Sequence, residues 1–351
     1  MSGPSIPILQ RFCLLAGAVL AVSGPGVERC GAATDIWMVR TYRFGTAQTC
    51  PVGAGGFDYL RFDARGAWTW SSQAAFLATH DPYRPTVVFA HGGFTDDAWA
   101  THLTVGLARS LCGYSGGQPV RIVLWKWPSE RSFRRLRPDL RAKAARADFE
   151  GLLLARWLRQ FDPHAPVTLV GYSAGGRVIA SGLNRYAAES AAFGQPPGSA
   201  SFRAVLVAPA LDADDLLPGR RAGMAIDAVE TMLVTHHRRD RALRFYPHLY
   251  PRYRPRAMGF VGVACPWMLS QRGGQLQVMD LTTCIAGRHD FLNYLSAPPL
   301  AARLVDLVFT GTVWSDQWQQ PPLSPLPPVG REMPARHTAQ LPDAPSGVVR
   351  L

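Results

Sequence analysis

The sequence predicts an α/β protein, one mostly parallel sheet with helices on both faces and an antiparallel edge at its N-terminal side. Three observations carry that expectation. Short apolar runs alternate with longer amphipathic ones between residues 35 and 312. Most of the short runs are apolar at nearly every position, the pattern of strands buried on both faces of a parallel sheet. Ahead of them stand segments that read as a strand and a hairpin, so strands come first and strand–helix units follow.

In chain order, DIWMVRT (35–41) is the first strand, and FDYLRFDARGAWTW (57–70) is a hairpin turning at Ala64-Arg65-Gly66-Ala67. The short apolar runs, most of them continuous, are TVVFA (86–90), RIVLW (121–125), VTLV (167–170), AVLVA (204–208), TMLV (231–234) and LQVMDL (276–281). Helical periodicity marks Pro138–Phe161, where Phe149, Leu152, Leu153, Trp157 and Phe161 share one stripe. It marks Ala174–Ser190 as well, with Val178, Ile179, Leu183 and Tyr186 on one side, and again Pro299–Leu307. A doubly wound nucleotide-binding sheet has the same rhythm. No G-x-G-x-x-G follows the first strand, however, so that alternative lacks its phosphate loop.

Both ends differ from this middle. Arg11 precedes an apolar run from Phe12 to Val22, and Gly31-Ala32-Ala33 has the small residues of an export cleavage site. The run is shorter than the about 20 residues that span a bilayer. The expectation is a signal peptide over 1–33, a single domain over 34–315 and an exported product, periplasmic or extracellular. From Asp316 onward the chain is dense in proline and has no apolar period, which predicts a disordered tail over 316–351. Removing the signal leaves Cys50, Cys112, Cys265 and Cys284, and four cysteines in an exported chain suggest disulfides. Cys265 and Cys284 bracket the last strand and close a short loop, which leaves Cys50–Cys112 as the second pair.

The formal net charge is +12, and arginine supplies it, since Lys126 and Lys143 are the only lysines. Such a field favours anionic partners, from phosphate-bearing substrates and acidic glycans to an anionic membrane surface. The sequence contains no nucleic-acid module, and nucleic acid is not an expected partner.

Two G-x-S-x-G strings occur, GYSGG at 113–117 and GYSAG at 171–175. Context separates them, because the string alone is short. Ser115 falls in a helix-to-strand loop, where glycines serve to turn the chain. Ser173 follows strand VTLV and opens a helix, the setting of a nucleophilic serine on a sharp turn. Gly171, Ala174, Gly175 and Gly176 supply the small residues such a turn needs, and the helix N-terminus favours nearby negative charge.

A nucleophilic serine also requires an oxyanion hole, a base and an orienting acid. The Ala174 amide is one candidate donor. The loop Ala90-His91-Gly92-Gly93-Phe94 supplies a second, from Gly93, with Phe94 as the fallback. His289, between the last strand and the final helix, is the candidate base. His236, His237 and His248 precede that strand, and His337 lies in the tail. Adjacent His236 and His237 lack the spacing of a helical metal pair, so no zinc is expected, and the chemistry calls for no cofactor. Two residues qualify as the acid, Asp240 beyond TMLV and Asp212 beyond AVLVA, and both keep the nucleophile–acid–base order. The arginines of 238–256 interleave with Phe245, Tyr246, Tyr250 and Tyr253, either as a seat for an anionic or aromatic acyl group or as a solvated basic face.

Six segments can now be set side by side: HGG after a strand, LWKWPS (124–129), VGYSAGGRV (170–178), VLVAPALD (205–212), RDRAL (239–243) and GRHDFLNY (287–294). On these the chain resembles the α/β-hydrolase superfamily, and within it a bacterial group of esterase- and lipase-like hydrolases of unassigned substrate. The resemblance implies the α/β-hydrolase fold and serine-hydrolase chemistry on a small-molecule or lipid ester. It places the acid in the segment like RDRAL, at Asp240, to act with Ser173 and His289. An acyltransferase or thioesterase would use the same residues. A non-catalytic binding protein on the scaffold would give no reason to keep all three.

Overall fold

The computed structural model describes residues 34–45, 56–162, 164–195, 202–250, 252–269 and 275–309. The expected signal segment, Cys50 and the proline-rich tail lie outside them. Nine strands form one sheet among the described residues: β1 (Thr34–Arg40), β2 (Asp58–Phe62), β3 (Trp68–Ser71), β4 (Thr86–Ala90), β5 (Val120–Lys126), β6 (Val167–Tyr172), β7 (Arg203–Val207), β8 (Thr231–His236) and β9 (Gln275–Asp280). Their order is β3-β2-β1-β5-β4-β6-β7-β8-β9. Only β2 runs against its neighbours; every other pairing is parallel. The antiparallel edge is therefore the β2–β3 hairpin joined to β1, while β1 itself runs parallel to β5 from Thr34↔Val120 to Arg40↔Lys126. This is an α/β-hydrolase fold.

The helices are α1 (Gln73–Ala78), α2 (Asp97–Ser115), α3 (Leu136–Leu158), α4 (Ala174–Ala192), α5 (Met258–Val261), α6 (Phe291–Leu295) and α7 (Pro298–Phe309). Alternation along each strand feeds two cores. Val88 and Ala90 of β4 join Phe149, Leu153 and Trp157 of α3 and Val178 and Leu183 of α4 on one face. Val87 and Phe89 join Leu103, Leu107 and Leu111 of α2 and Leu300 and Leu304 of α7 on the other. Among the described residues no helix is long and apolar enough to cross a bilayer.

β5 and β6 flank β4 on opposite sides, so the chain order reverses there. In open α/β sheets such a reversal leaves a crevice beyond the carboxyl ends of the strands. Close approach at that point depends on glycine. A Cβ on Gly175 would lie 1.9 Å from the Ala90 carbonyl oxygen, and one on Gly171 would lie 2.6 Å from the Gly175 oxygen. Gly175→Ala is expected to cost about 3 kcal/mol, because backbone rather than a flexible side chain must yield. Urea denaturation measures this, and a native midpoint would show that α4 backs away freely.

Two expectations need correction. α2 continues through Ser115, so this serine ends a helix instead of sitting in a loop. Its Oγ accepts the Gln118 amide at 3.2 Å and donates to the Cys112 carbonyl at 3.4 Å. Gly116 and Gly117, with φ of 69° and 88°, make the exit turn. Secondly, Cys265 and Cys284 are free thiols. They are fixed to different loops: the Ala264 amide bonds the Ala213 carbonyl at 2.8 Å beyond β7, and the Cys284 amide bonds Leu281 at 3.1 Å beyond β9. A short separation along the chain does not set the Cβ spacing that a disulfide demands. Cys112 does carry a disulfide. Its assigned partner, Cys50, lies outside the described residues, and that pairing remains an expectation.

Candidate active site

Ser173 stands between β6 and α4 with φ 53° and ψ −116°, a conformation rare for a residue with a side chain. Three backbone bonds hold it there. Its amide donates to the Val207 carbonyl, and its carbonyl accepts the Gly176 and Ala210 amides, each at 3.0 Å. The side chain is thus aimed out of the sheet, and its orientation does not depend on its own hydroxyl.

The hydroxyl meets a histidine. His289 Nε2 lies 2.9 Å from Ser173 Oγ, and His289 Nδ1 lies 2.7 Å from Asp240 Oδ2. The imidazole packs on the Tyr172 ring, with centroids 5.1 Å apart and planes at 31°. Asp240 is completely buried and fully used. Oδ2 also accepts the Tyr294 hydroxyl at 2.7 Å, and Oδ1 accepts the Ala242 and Leu243 amides at 2.9 Å each. Burial pushes this carboxyl up, but the hydrogen bond and charge of His289, the Leu243 amide and the Tyr294 hydroxyl more than offset it and hold it below the usual aspartate range. An ionised Asp240 requires the Nδ1–H tautomer, which leaves Nε2 as an acceptor facing Ser173.

The Asp240 and His289 loops are also joined to each other. The Arg241 amide donates to the Gly287 carbonyl at 3.1 Å, and His237 Nε2 donates to the Ala286 carbonyl at 3.3 Å. The Arg238 amide reaches Thr282 Oγ1 at 3.0 Å. A Cβ on Gly287 would meet the Arg239 carbonyl oxygen at 2.4 Å, so the loops touch backbone to backbone.

Asp212, the other candidate acid, is elsewhere occupied. Its Oδ1 accepts the Tyr246 hydroxyl at 2.8 Å, and its amide donates to Asp215 Oδ2 at 2.9 Å. His236 faces Asp280 at 3.8 Å, and His248 lies beside Phe245. His337 is outside the described residues. Among the described residues the one group with the density of a metal site is Asp212, Asp214 and Asp215. Arg220 and Arg221 already pair with Asp214 and Asp215.

The Gly92–Gly93 loop lies against Ser173. A Cβ on Gly92 would be 3.4 Å from Ser173 Cβ, and one on Gly93 would be 4.0 Å from Ala174 Cβ. The Phe94 amide donates to the Ser129 carbonyl at 2.7 Å, so the fallback donor is spent. The Gly93 and Ala174 amides take no partner among the described residues.

What holds this loop was not read from the sequence. Trp127 Nε1 donates to the His91 carbonyl at 3.0 Å. Ser129 Oγ accepts the Thr95 amide at 3.2 Å and donates to the Thr95 carbonyl at 3.1 Å, which Lys126 Nζ also reaches at 3.1 Å. His91 is part of the same brace. Burial, with the Lys126 charge adding to it, drives its pKa down to about 3, so the neutral ring donates from Nδ1 to the Gly92 carbonyl at 2.8 Å. The available signal was the rarity of lysine. Lys126 and Lys143 are both buried beside this loop, and Lys143 Nζ lies 5.0 Å from the centre of the Phe94 ring.

No family model matches the chain, and no curated protein does. Solved structures do resemble it. One is a lipase/esterase from Lactobacillus plantarum, 14% identical over 74% of this chain and 97% of that one, with a TM-score of 0.36. Esterase B from Lactobacillus rhamnosis is 15% identical over 78% of this chain and 85% of that one, at 0.35. An esterase/lipase from an uncultured bacterium is 15% identical over 87% and 96%, at 0.33. With TM-scores this low they carry nothing toward substrate or mechanism, which rest on the side chains.

Proposed function

We propose that this α/β-hydrolase-fold chain is a serine hydrolase that cleaves carboxylic esters through an acyl-serine intermediate. The observation that carries the reading is the continuous hydrogen-bonded chain Asp240–His289–Ser173, with the unused Ala174 and Gly93 amides beside it. His289 Nε2 takes the Ser173 proton as Oγ bonds to the ester carbonyl carbon. The carbonyl oxygen becomes an oxyanion, which the two amides bind, each contributing about 3–4 kcal/mol in the transition state. The intermediate collapses, and the leaving alcohol takes the proton from His289. Water then gives a proton to Nε2, attacks the acyl carbon and releases the acid, while the proton returns to Ser173. Asp240 holds the imidazole and stabilises its charge throughout. A fluorophosphonate probe tests the reading: native protein is labelled and Ser173→Ala is not. Absence of label on the native protein would reject it.

The proposal extends to the brace on the oxyanion loop. Ser129→Ala removes the hydroxyl that binds both backbone groups of Thr95. We expect kcat to fall about 10-fold with KM nearly unchanged, as for a donor that acts mainly in the transition state. An unaltered kcat would mean that Trp127 and Lys126 suffice. Export belongs to the proposal as well, and a disulfide at Cys112 suits an oxidising compartment.

A further inference from the structure

Next to the oxyanion loop lies a surface that ester cleavage does not use. Residues 131–138, RSFRRLRP, are all exposed. Arg134, Arg135 and Arg137 make no ion pair among the described residues. The stretch itself has no acid; of the two that flank it, Glu130 pairs with Lys126 at 2.7 Å, and Asp139 is fully buried and paired with Lys143 at 2.9 Å. Between the arginines, Phe133 and Leu136 are 48% and 39% exposed.

The turn is held in shape. Asp139 Oδ1 accepts the Ser132 and Phe133 amides at 3.0 and 3.2 Å. Arg131 donates to the Phe133 carbonyl at 3.1 Å and to the Arg134 carbonyl at 2.6 Å. An open cavity of about 630 Å³ lies alongside, lined by Arg135, Leu136, Arg137, Pro138 and Arg141. A buried ion pair links the patch to the site. Lys143, bonded to Asp139, sits beneath the Phe94 ring, and Phe94 is itself 41% exposed and adjoins Gly93.

We propose that this face docks the protein on an anionic lipid membrane, with the Gly93 side of the site toward the headgroups. Arginines without partners supply attraction to a negative leaflet, and Phe133, Leu136 and Phe94 supply apolar groups that enter the acyl boundary. A soluble polyanion would match the arginines but give no use to three exposed apolar side chains. The proposal goes beyond the esterase reading and stands without it.

The test uses full-length Ser173→Ala protein, so that binding is read without turnover. It is sedimented with vesicles of phosphatidylglycerol and phosphatidylcholine, and with phosphatidylcholine alone, at about 0.15 M salt. Binding to the anionic vesicles is expected, with a loss of about 100-fold for the triple variant Arg134→Gln, Arg135→Gln, Arg137→Gln. Phe133→Ala with Leu136→Ala should weaken binding about 10-fold. The same charge removed at exposed Arg65, Arg109 and Arg252 should change it by no more than a few-fold. Native-like binding by the first triple variant would overturn the proposal. So would equal loss in the charge-matched control, equal affinity for neutral vesicles, or binding confined to soluble heparin.

Discussion

Ser173→Ala is expected to lower p-nitrophenyl ester turnover by about 10⁶-fold, the cost of removing the proposed nucleophile from a triad that acts as a unit. Ser115→Ala, at the other G-x-S-x-G string, stays within a few-fold. The contrast follows from what each serine touches. Ser173 Oγ has His289 Nε2 at 2.9 Å, whereas Ser115 Oγ bonds only the backbone of its own helix end. Three backbone bonds, not the hydroxyl, hold the strained turn at Ser173, so the alanine variant should keep its fold. Initial rates and a thermal midpoint on both variants check this. Equal losses at the two serines would remove the assignment of the nucleophile.

The second large effect is at the acid. Asp240→Asn should cost about 10⁴-fold in turnover near neutral pH, because an amide at Oδ2 donates to Nδ1 and favours the wrong imidazole tautomer. Asparagine still offers a carbonyl oxygen to the Ala242 and Leu243 amides, so the loop has what it needs to close. Asp212→Asn should leave turnover within a few-fold and act on stability instead, through the Tyr246 hydroxyl. The pair of variants discriminates sharply. A large loss in Asp212→Asn beside a native-like Asp240→Asn would move the acid to the earlier loop.

The legible parts of the molecule were those written in local pattern. Strands β4 to β8 announce themselves as apolar runs, because a strand covered on both faces has no polar side to show, whereas β9 is a partly exposed edge strand. The turn at Ser173 is visible because its glycines meet backbone that no side chain would tolerate. What stayed hidden depends on partners far along the chain. Nothing local ties Ser129 to Thr95, or Tyr294 to an acid 54 residues earlier. Phe94 could be offered as a donor only while its bond to the Ser129 carbonyl was unknown. The parallel pairing of β1 with β5 is of the same kind, since strand direction is a property of the assembled sheet. The Cys265–Cys284 pairing failed because loop length speaks to closure entropy and says nothing of where two loops are anchored.

The bonds between the Asp240 and His289 loops imply a division of labour in how the protein loses activity. Ser173 and the Gly92–Gly93 loop ride on β6 and β4 in the middle of the sheet, while Asp240 and His289 follow β8 and the edge strand β9. Across that seam, the proposed proton relay passes through a single contact, between His289 Nε2 and Ser173 Oγ. Margins of a sheet open at lower free energy than its centre. Gentle heating should therefore silence the catalyst as the outer cassette lifts away intact, several degrees before the bulk of the secondary structure melts, and cooling should switch it back on.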